Sequence, residues 1–140
     1  ERILEKIKRL GQRIHTVAVV DTLEYLKRSG RLSNFQALLG ALLRMKPLLA
    51  MHNDVIEMER TRTQNRAIRW LLERVTSLGP FEQVVMVHTH AQATIEALQT
   101  QIQTLYPDLA TPLIVDVTPV LGAHLGPGVV GLTGVVENPH

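Results

Sequence analysis

Hydrophobic positions recur along the chain at two spacings, and the change from one to the other marks out its elements. Ile3, Leu4, Ile7 and Leu10 fall at helical spacing with Glu, Lys and Arg between them, which predicts a helix over residues 2–13 with Gly11 as a stop. Thr16-Val17-Ala18-Val19-Val20 is a short, nearly continuous run rich in β-branched residues, the pattern of a buried strand. Asp21 or Thr22 can cap a short helix from Thr22 to Lys27, which Ser29-Gly30 ends. Ser33 or Asn34 caps a further helix through Leu43. Pro47 to Met51 reads as a strand, His52-Asn53-Asp54 as a turn, and Val55 to Glu59 as the hairpin partner.

Thr63 caps a long helix to about Leu78, with Ala67, Ile68, Leu71, Leu72, Val75 and Leu78 on its apolar face. Trp70 lies beside that stripe. Gly79-Pro80 breaks the helix. Val84 to Val87 is a second buried strand, followed by a helix from Gln92 to Leu105 with Ile95, Leu98, Ile102 and Leu105 on one side. Pro112 to Val117 is a third strand and Val129 to Val136 a last one, where Gly131 and Gly134 point to a bulge or a close neighbour. Strands alternating with helices imply an α/β domain around one sheet, and the hairpin makes that sheet mixed.

Between the last two strands lies Pro119-Val120-Leu121-Gly122-Ala123-His124-Leu125-Gly126-Pro127-Gly128-Val129-Val130-Gly131-Leu132, with His124 its one titratable side chain. Its density of glycine and proline predicts a shaped loop rather than a helix interior. A loop that presents one polar group among apolar ones is a common way to build a binding site.

Composition narrows the possibilities. The chain has 140 residues, 45% hydrophobic, which suits one domain with a substantial core. Without cysteine it has no disulfide, thiolate metal site or Cys nucleophile, which fits a cytoplasmic setting. No apolar run is long enough to span a membrane. The pattern opens inside a helix without Met, and we read the chain as a fragment of something longer. The net charge of +2 conceals an asymmetry: all 15 Lys and Arg lie in residues 1–74 with eight of the 13 acids, and residues 75–140 hold the other five acids alone. The first half carries a basic face if the halves are separate in space.

Three constellations could carry chemistry. Arg31 follows Gly30 and precedes a helix, where it can reach an anion or simply belong to a solvated basic face. If the end of the hairpin is extended, Arg60 and Arg62 point to one side; they suit a carboxylate, a phosphate or an acidic partner, or merely decorate the surface. His88 and His90 could share a face at a strand end, but no acidic or Cys ligand lies nearby in sequence, so a metal is not expected. No nucleophile elbow, phosphate-binding loop or dinucleotide fingerprint occurs. Aromatic residues are not interleaved with the basic ones as stacking on single-stranded nucleic acid needs, so nucleic acid is not an expected partner.

Four stretches in order resemble the DegV family, which includes the fatty-acid-binding subunits of bacterial fatty acid kinase. They are Val20-Asp21-Thr22-Leu23-Glu24-Tyr25-Leu26-Lys27-Arg28-Ser29-Gly30-Arg31-Leu32-Ser33, then Leu38-Leu39-Gly40-Ala41-Leu42-Leu43-Arg44-Met45-Lys46-Pro47-Leu48-Leu49, Glu59-Arg60-Thr61-Arg62-Thr63, and the Pro119–Leu132 segment. Departures are mild: Ser29 stands where a second glycine is common, and Asn53-Asp54-Val55 replaces the usual Asp-Gly turn.

The resemblance implies a mixed α/β C-terminal domain, residues 1–140, of a two-domain protein. Residues 1–14 would be the tail of an inter-domain helix. It also implies a long-chain fatty acid in a tunnel between the domains, with no cofactor, metal or catalytic residue, and a separate kinase to which the carboxylate is presented. His124 would join the carboxylate network, Gly126 and Gly128 would let the lipid head approach the backbone, and Arg31 would lie near the tunnel mouth. Arg28, Arg60 and Arg62 would face the partner. Phe35, Leu38, Leu39, Leu42, Leu43 and Leu49 are candidate tunnel walls. An exposed tunnel wall favours self-association of the isolated domain. Two alternatives stand beside this reading: a substrate-binding domain like that of dihydroxyacetone kinase, with His124 as a covalent nucleophile, and a regulatory module acting through the basic half.

Overall fold

The computed structural model describes residues 2–30 and 45–138. The readings placed on Arg31, on the helix from Ser33 or Asn34 to Leu43, and on Phe35, Leu38, Leu39, Leu42 and Leu43 lie outside the described residues. The elements run α1 (Arg2–Gly11), β1 (Ile14–Val19), α2 (Glu24–Arg28), β2 (Lys46–His52), β3 (Val55–Thr61), α3 (Gln64–Leu78), β4 (Phe81–His88), α4 (Gln92–Leu105), β5 (Leu113–Asp116), α5 (Pro119–Leu125) and β6 (Val130–Val136).

Among the described residues six strands form one mixed sheet in the order β3-β2-β1-β6-β4-β5, with only the β4–β5 pair parallel. The hairpin that made the sheet mixed in sequence is formed: Asn53 and Asp54 both take positive φ, 48° and 63°, as a two-residue turn between right-twisted strands requires. Strands from residues 1–74 occupy one side of the β1–β6 seam and strands from 75–140 the other, so the basic and acidic halves are separate within the sheet.

Helices α3 and α4 pack on one face. Thr63 caps α3 by accepting from the Arg66 amide, and Ala67, Leu71 and Val75 of that helix are buried. They meet Val17, Val19, Leu48, Met86, Val130 and Leu132 from the sheet and Ile95, Leu98 and Ile102 from α4 in one core. Gly134 is the close-neighbour glycine anticipated from sequence. A side chain there would strike the ring of Phe81, and the register of β4 against β6 shifts just beside it, between Phe81 and Gln83.

Two expectations are corrected. The Pro119–Leu132 segment is not all loop: Pro119 to Leu125 form helix α5, and the loop is confined to the residues between Leu125 and Val130. Proline suits the first turn of a helix because its missing N–H has no acceptor there, and Gly126 stops the helix with φ 76°. The cap of α2 also differs. Leu23 occupies the cap position, and the Thr22 hydroxyl accepts from the Glu24 amide at 3.2 Å.

The second face of the sheet carries no helix among the described residues. Helix α1 packs on neither face; its apolar stripe is open to solvent, with Ile3 74% and Leu4 64% exposed. The nearly continuous apolar strands therefore have a reason other than helices on both sides.

Candidate functional site

Strand register gathers the sequence-marked residues at one end of the sheet. β1 ends at Val19, two residues before Asp21, β2 begins at Lys46, β3 ends at Thr61, β4 ends at His88 and β6 begins at Val130. α2 and α5 pack against each other at this end. His124, Gly126, Gly128, Arg28, Arg60 and Arg62 all belong to elements or loops found here.

The loop between α5 and β6 is held by a residue the sequence reading passed over. Thr89, buried at 3% exposure, donates its hydroxyl to the Gly126 carbonyl at 2.6 Å and accepts from the Val129 amide at 3.0 Å. Its own amide donates to the Val129 carbonyl, and its carbonyl accepts from the Gly128 amide at 2.7 Å. One threonine thus satisfies four backbone groups of a loop that has no ladder of its own. Gly126 and Gly128 take φ of 76° and 84°. The ring of Tyr25 lies against Gly126, and the Asp21 side chain against Gly128. Asp21 is ion-paired to Lys46, and Arg28 pairs with Glu24 and lies 6.0 Å from the centre of the Tyr25 ring.

His124 is half-buried on α5, and its Nδ1 is buried with no hydrogen-bond partner among the described residues. An unpaired polar atom of that kind is uncommon in folded proteins and needs a reason. Arg60 and Arg62 are exposed; Arg60 stands opposite Pro47 at the edge of the sheet, and Arg62 lies beyond the end of β3.

His88 and His90 do not share a face. His88 is buried and accepts from the Ala91 amide through Nδ1, whereas His90 is exposed with φ 46°. A second pair of histidines, which the sequence reading did not single out, lies at the opposite end of the sheet. His15 and His52 stack with ring centres 3.8 Å apart, beside a cavity of about 450 Å³ that Arg74 and Glu57 also line. Burial, then His52, then Arg74 lowers the pKa of His15 below its ordinary value. The antiparallel register placed these two rings together, and no local pattern announces it.

The second face of the sheet is largely apolar. Pairing registers lay its side chains in rows across all six strands. Met58, Leu49, Ala18, Gly131, Val87 and Val115 form one row, and Ile56, Met51, Thr16, Thr133, Val85 and Leu113 form the next. Leu113 is 64% and Ile56 51% exposed. Leu49, the described member of the candidate tunnel wall, belongs to this face. Apolar surface of this extent with no helix packed on it among the described residues marks an interface or a ligand wall.

A family model described as "Uncharacterised protein, DegV family" matches residues 1–137. The chain belongs to the DegV family. A DegV domain-containing protein of Listeria monocytogenes is 32% identical over 141 residues, which cover 98% of this chain and 50% of that protein. One of Streptomyces coelicolor is 38% identical over 116 residues, 81% of this chain and 41% of the relative. Among solved structures, a fatty acid binding DegV family protein from Streptococcus agalactiae superposes with a TM-score of 0.83 at 30% identity, covering 98% of this chain and 50% of that one. The DegV structure from Thermus thermophilus, described by its fatty acid binding, gives 0.82 at 25% identity and covers 97% and 50%. The chain therefore spans about half the length of the DegV relatives it matches, with the mixed α/β fold of those structures.

Proposed function

We propose that this chain is one half of a fatty-acid-binding DegV protein, the C-terminal domain, whose open sheet face is one wall of a tunnel for a long-chain fatty acid. A second domain would supply the other wall, and α1 would lie at the junction. The observation that carries the reading is the open face. Its two six-residue rows are apolar apart from one pair of threonines, among the described residues helices pack only on its back, and the relatives of known structure that bind fatty acid are twice as long. Burial of an acyl chain on such a wall yields about 0.8 kcal/mol per CH₂. The unpaired Nδ1 of His124 and the glycine-rich loop beside it supply a polar end for the carboxylate, with Gly126 and Gly128 leaving the backbone open to approach.

In this reading the protein performs no chemistry. It presents the carboxylate to a separate kinase in the cytoplasm, with Arg31, Arg28, Arg60 and Arg62 toward the tunnel mouth and the partner. A test uses the full-length protein and compares a fatty acid with the alcohol of the same chain. His124→Ala is expected to weaken the acid by roughly tenfold, the scale of one charge-assisted hydrogen bond, and the alcohol by less. An equal loss for both ligands, or none for the acid, would remove His124 from the carboxylate site.

A further inference from the structure

The second row of the open face has a polar centre. Between Met51 and Val85, the hydroxyls of Thr16 and Thr133 lie 2.9 Å apart. Two hydroxyls carry two hydrogens, and their contact uses one. Neither makes another hydrogen bond among the described residues, so one O–H is left to donate; Met51 and Val85 flank the pair in its row, and Thr16 also lines a cavity with Lys8 and Gly11 of α1 and the adjoining Gln12. Thr133 stands four residues along the chain from Val129, ~13 Å at ~3.3 Å per strand residue. A fatty acid anchored by its carboxylate at the loop and laid along the β1–β6 seam therefore meets this pair well down the chain, not at its head.

We propose that the Thr16–Thr133 pair selects an acyl chain bearing an oxygen at mid-chain, as a hydroxyl or oxo group, over the plain chain of the same length. The inference rests on the fatty-acid reading of the open face. A plain chain covers the pair and leaves its spare O–H without an acceptor in dry surroundings, whereas an oxygen on the chain accepts it. A site equipped to hydrogen-bond a ligand group discriminates against the analogue that lacks the group. Cross-strand threonine pairs also stabilise sheets, so the informative quantity is a ratio between ligands rather than stability.

The test measures the affinities of the full-length protein for stearic acid and for stearic acid carrying one mid-chain hydroxyl, by displacement of a fluorescent fatty acid. The unsubstituted protein is expected to favour the hydroxy acid by roughly tenfold, the scale of one hydrogen bond. The Thr16→Val, Thr133→Val double variant is expected to lose that preference, and the Thr16→Ser, Thr133→Ser variant to keep it. Thr133→Val alone serves if the double variant does not fold. Equal or tighter binding of the plain acid by the unsubstituted protein, or a preference that survives in the valine variants, overturns the proposal and leaves the fatty-acid reading standing. Failure of the folded protein to bind either acid overturns both.

Discussion

Thr89→Val is expected to destabilise the full-length protein by about 3 kcal/mol and to abolish most of its fatty acid uptake. Valine keeps the branched shape but replaces the hydroxyl by a methyl, which must push away from the Gly126 carbonyl 2.6 Å from the present oxygen. That hydroxyl serves two backbone groups at once, the Gly126 carbonyl and the Val129 amide. Both lose a partner in a buried setting, and each orphaned group costs about 1–3 kcal/mol. The same loop carries Gly126 and Gly128 and follows directly from His124, so its displacement reaches the proposed carboxylate end. Urea denaturation should show a lower midpoint with an unchanged slope. Thr89→Ser, which keeps the oxygen, should recover most of both properties. A valine variant as stable as its parent would show that Thr89 does not hold the loop.

Gly126→Ala is expected to cost at least as much, for a different reason. The backbone at this residue has φ 76° and ψ 175°, a region open essentially to glycine alone and worth about 1–3 kcal/mol of strain for other residues. A Cβ would also lie within 2.7 Å of three ring atoms of Tyr25. Overpacking of that kind adds about 1–3 kcal/mol. The two contributions separate in a double variant, since Tyr25→Ala removes the ring but not the backbone strain. The alanine at 126 should therefore cost less in that background, yet still more than about 1 kcal/mol. Gly11→Ala is the control: nothing lies within 4 Å of its position, and little change is expected. Equal small effects at 11 and 126 would contradict the close packing of α2 on the loop.

Much of this architecture can be read before the coordinates. The bounds of α4 match its apolar spacing, Thr63 caps α3 as its position suggests, and the hairpin forms as read; the sheet is mixed, but the alternation of strands and helices did not reveal that β1–β6 and β4–β6 are antiparallel as well. The continuous apolar strands carry further information. Such runs are ordinarily read as burial beneath helices on both faces. Here Val17 and Val19 face α3 and α4, and Thr16 and Ala18 lie on the face against which no described helix packs closely. The composition of the second face was legible; what covers it was not, because periodicity reports that a face avoids water without naming its cover.

The site was legible in its residues and not in its geometry. His124, Gly126 and Gly128 stood out by type, yet the same glycine and proline density concealed α5, where Pro119 begins a helix and Gly126 ends it. Thr89 was invisible because its role depends on a contact 37 to 40 positions away. A usable signal existed in its position just past the end of β4, since ligand sites in α/β sheets gather at strand ends. The Thr16–Thr133 pair and the His15–His52 stack likewise follow from register alone.

The open sheet face is the proposed wall for an acyl chain. Native mass spectrometry of the purified full-length protein tests it most directly. The account predicts a folded species heavier than the polypeptide by one long-chain fatty acid, with the increment lost on organic extraction and regained on incubation with added fatty acid. A folded protein that carries no lipid and gains no mass from added fatty acid would contradict it.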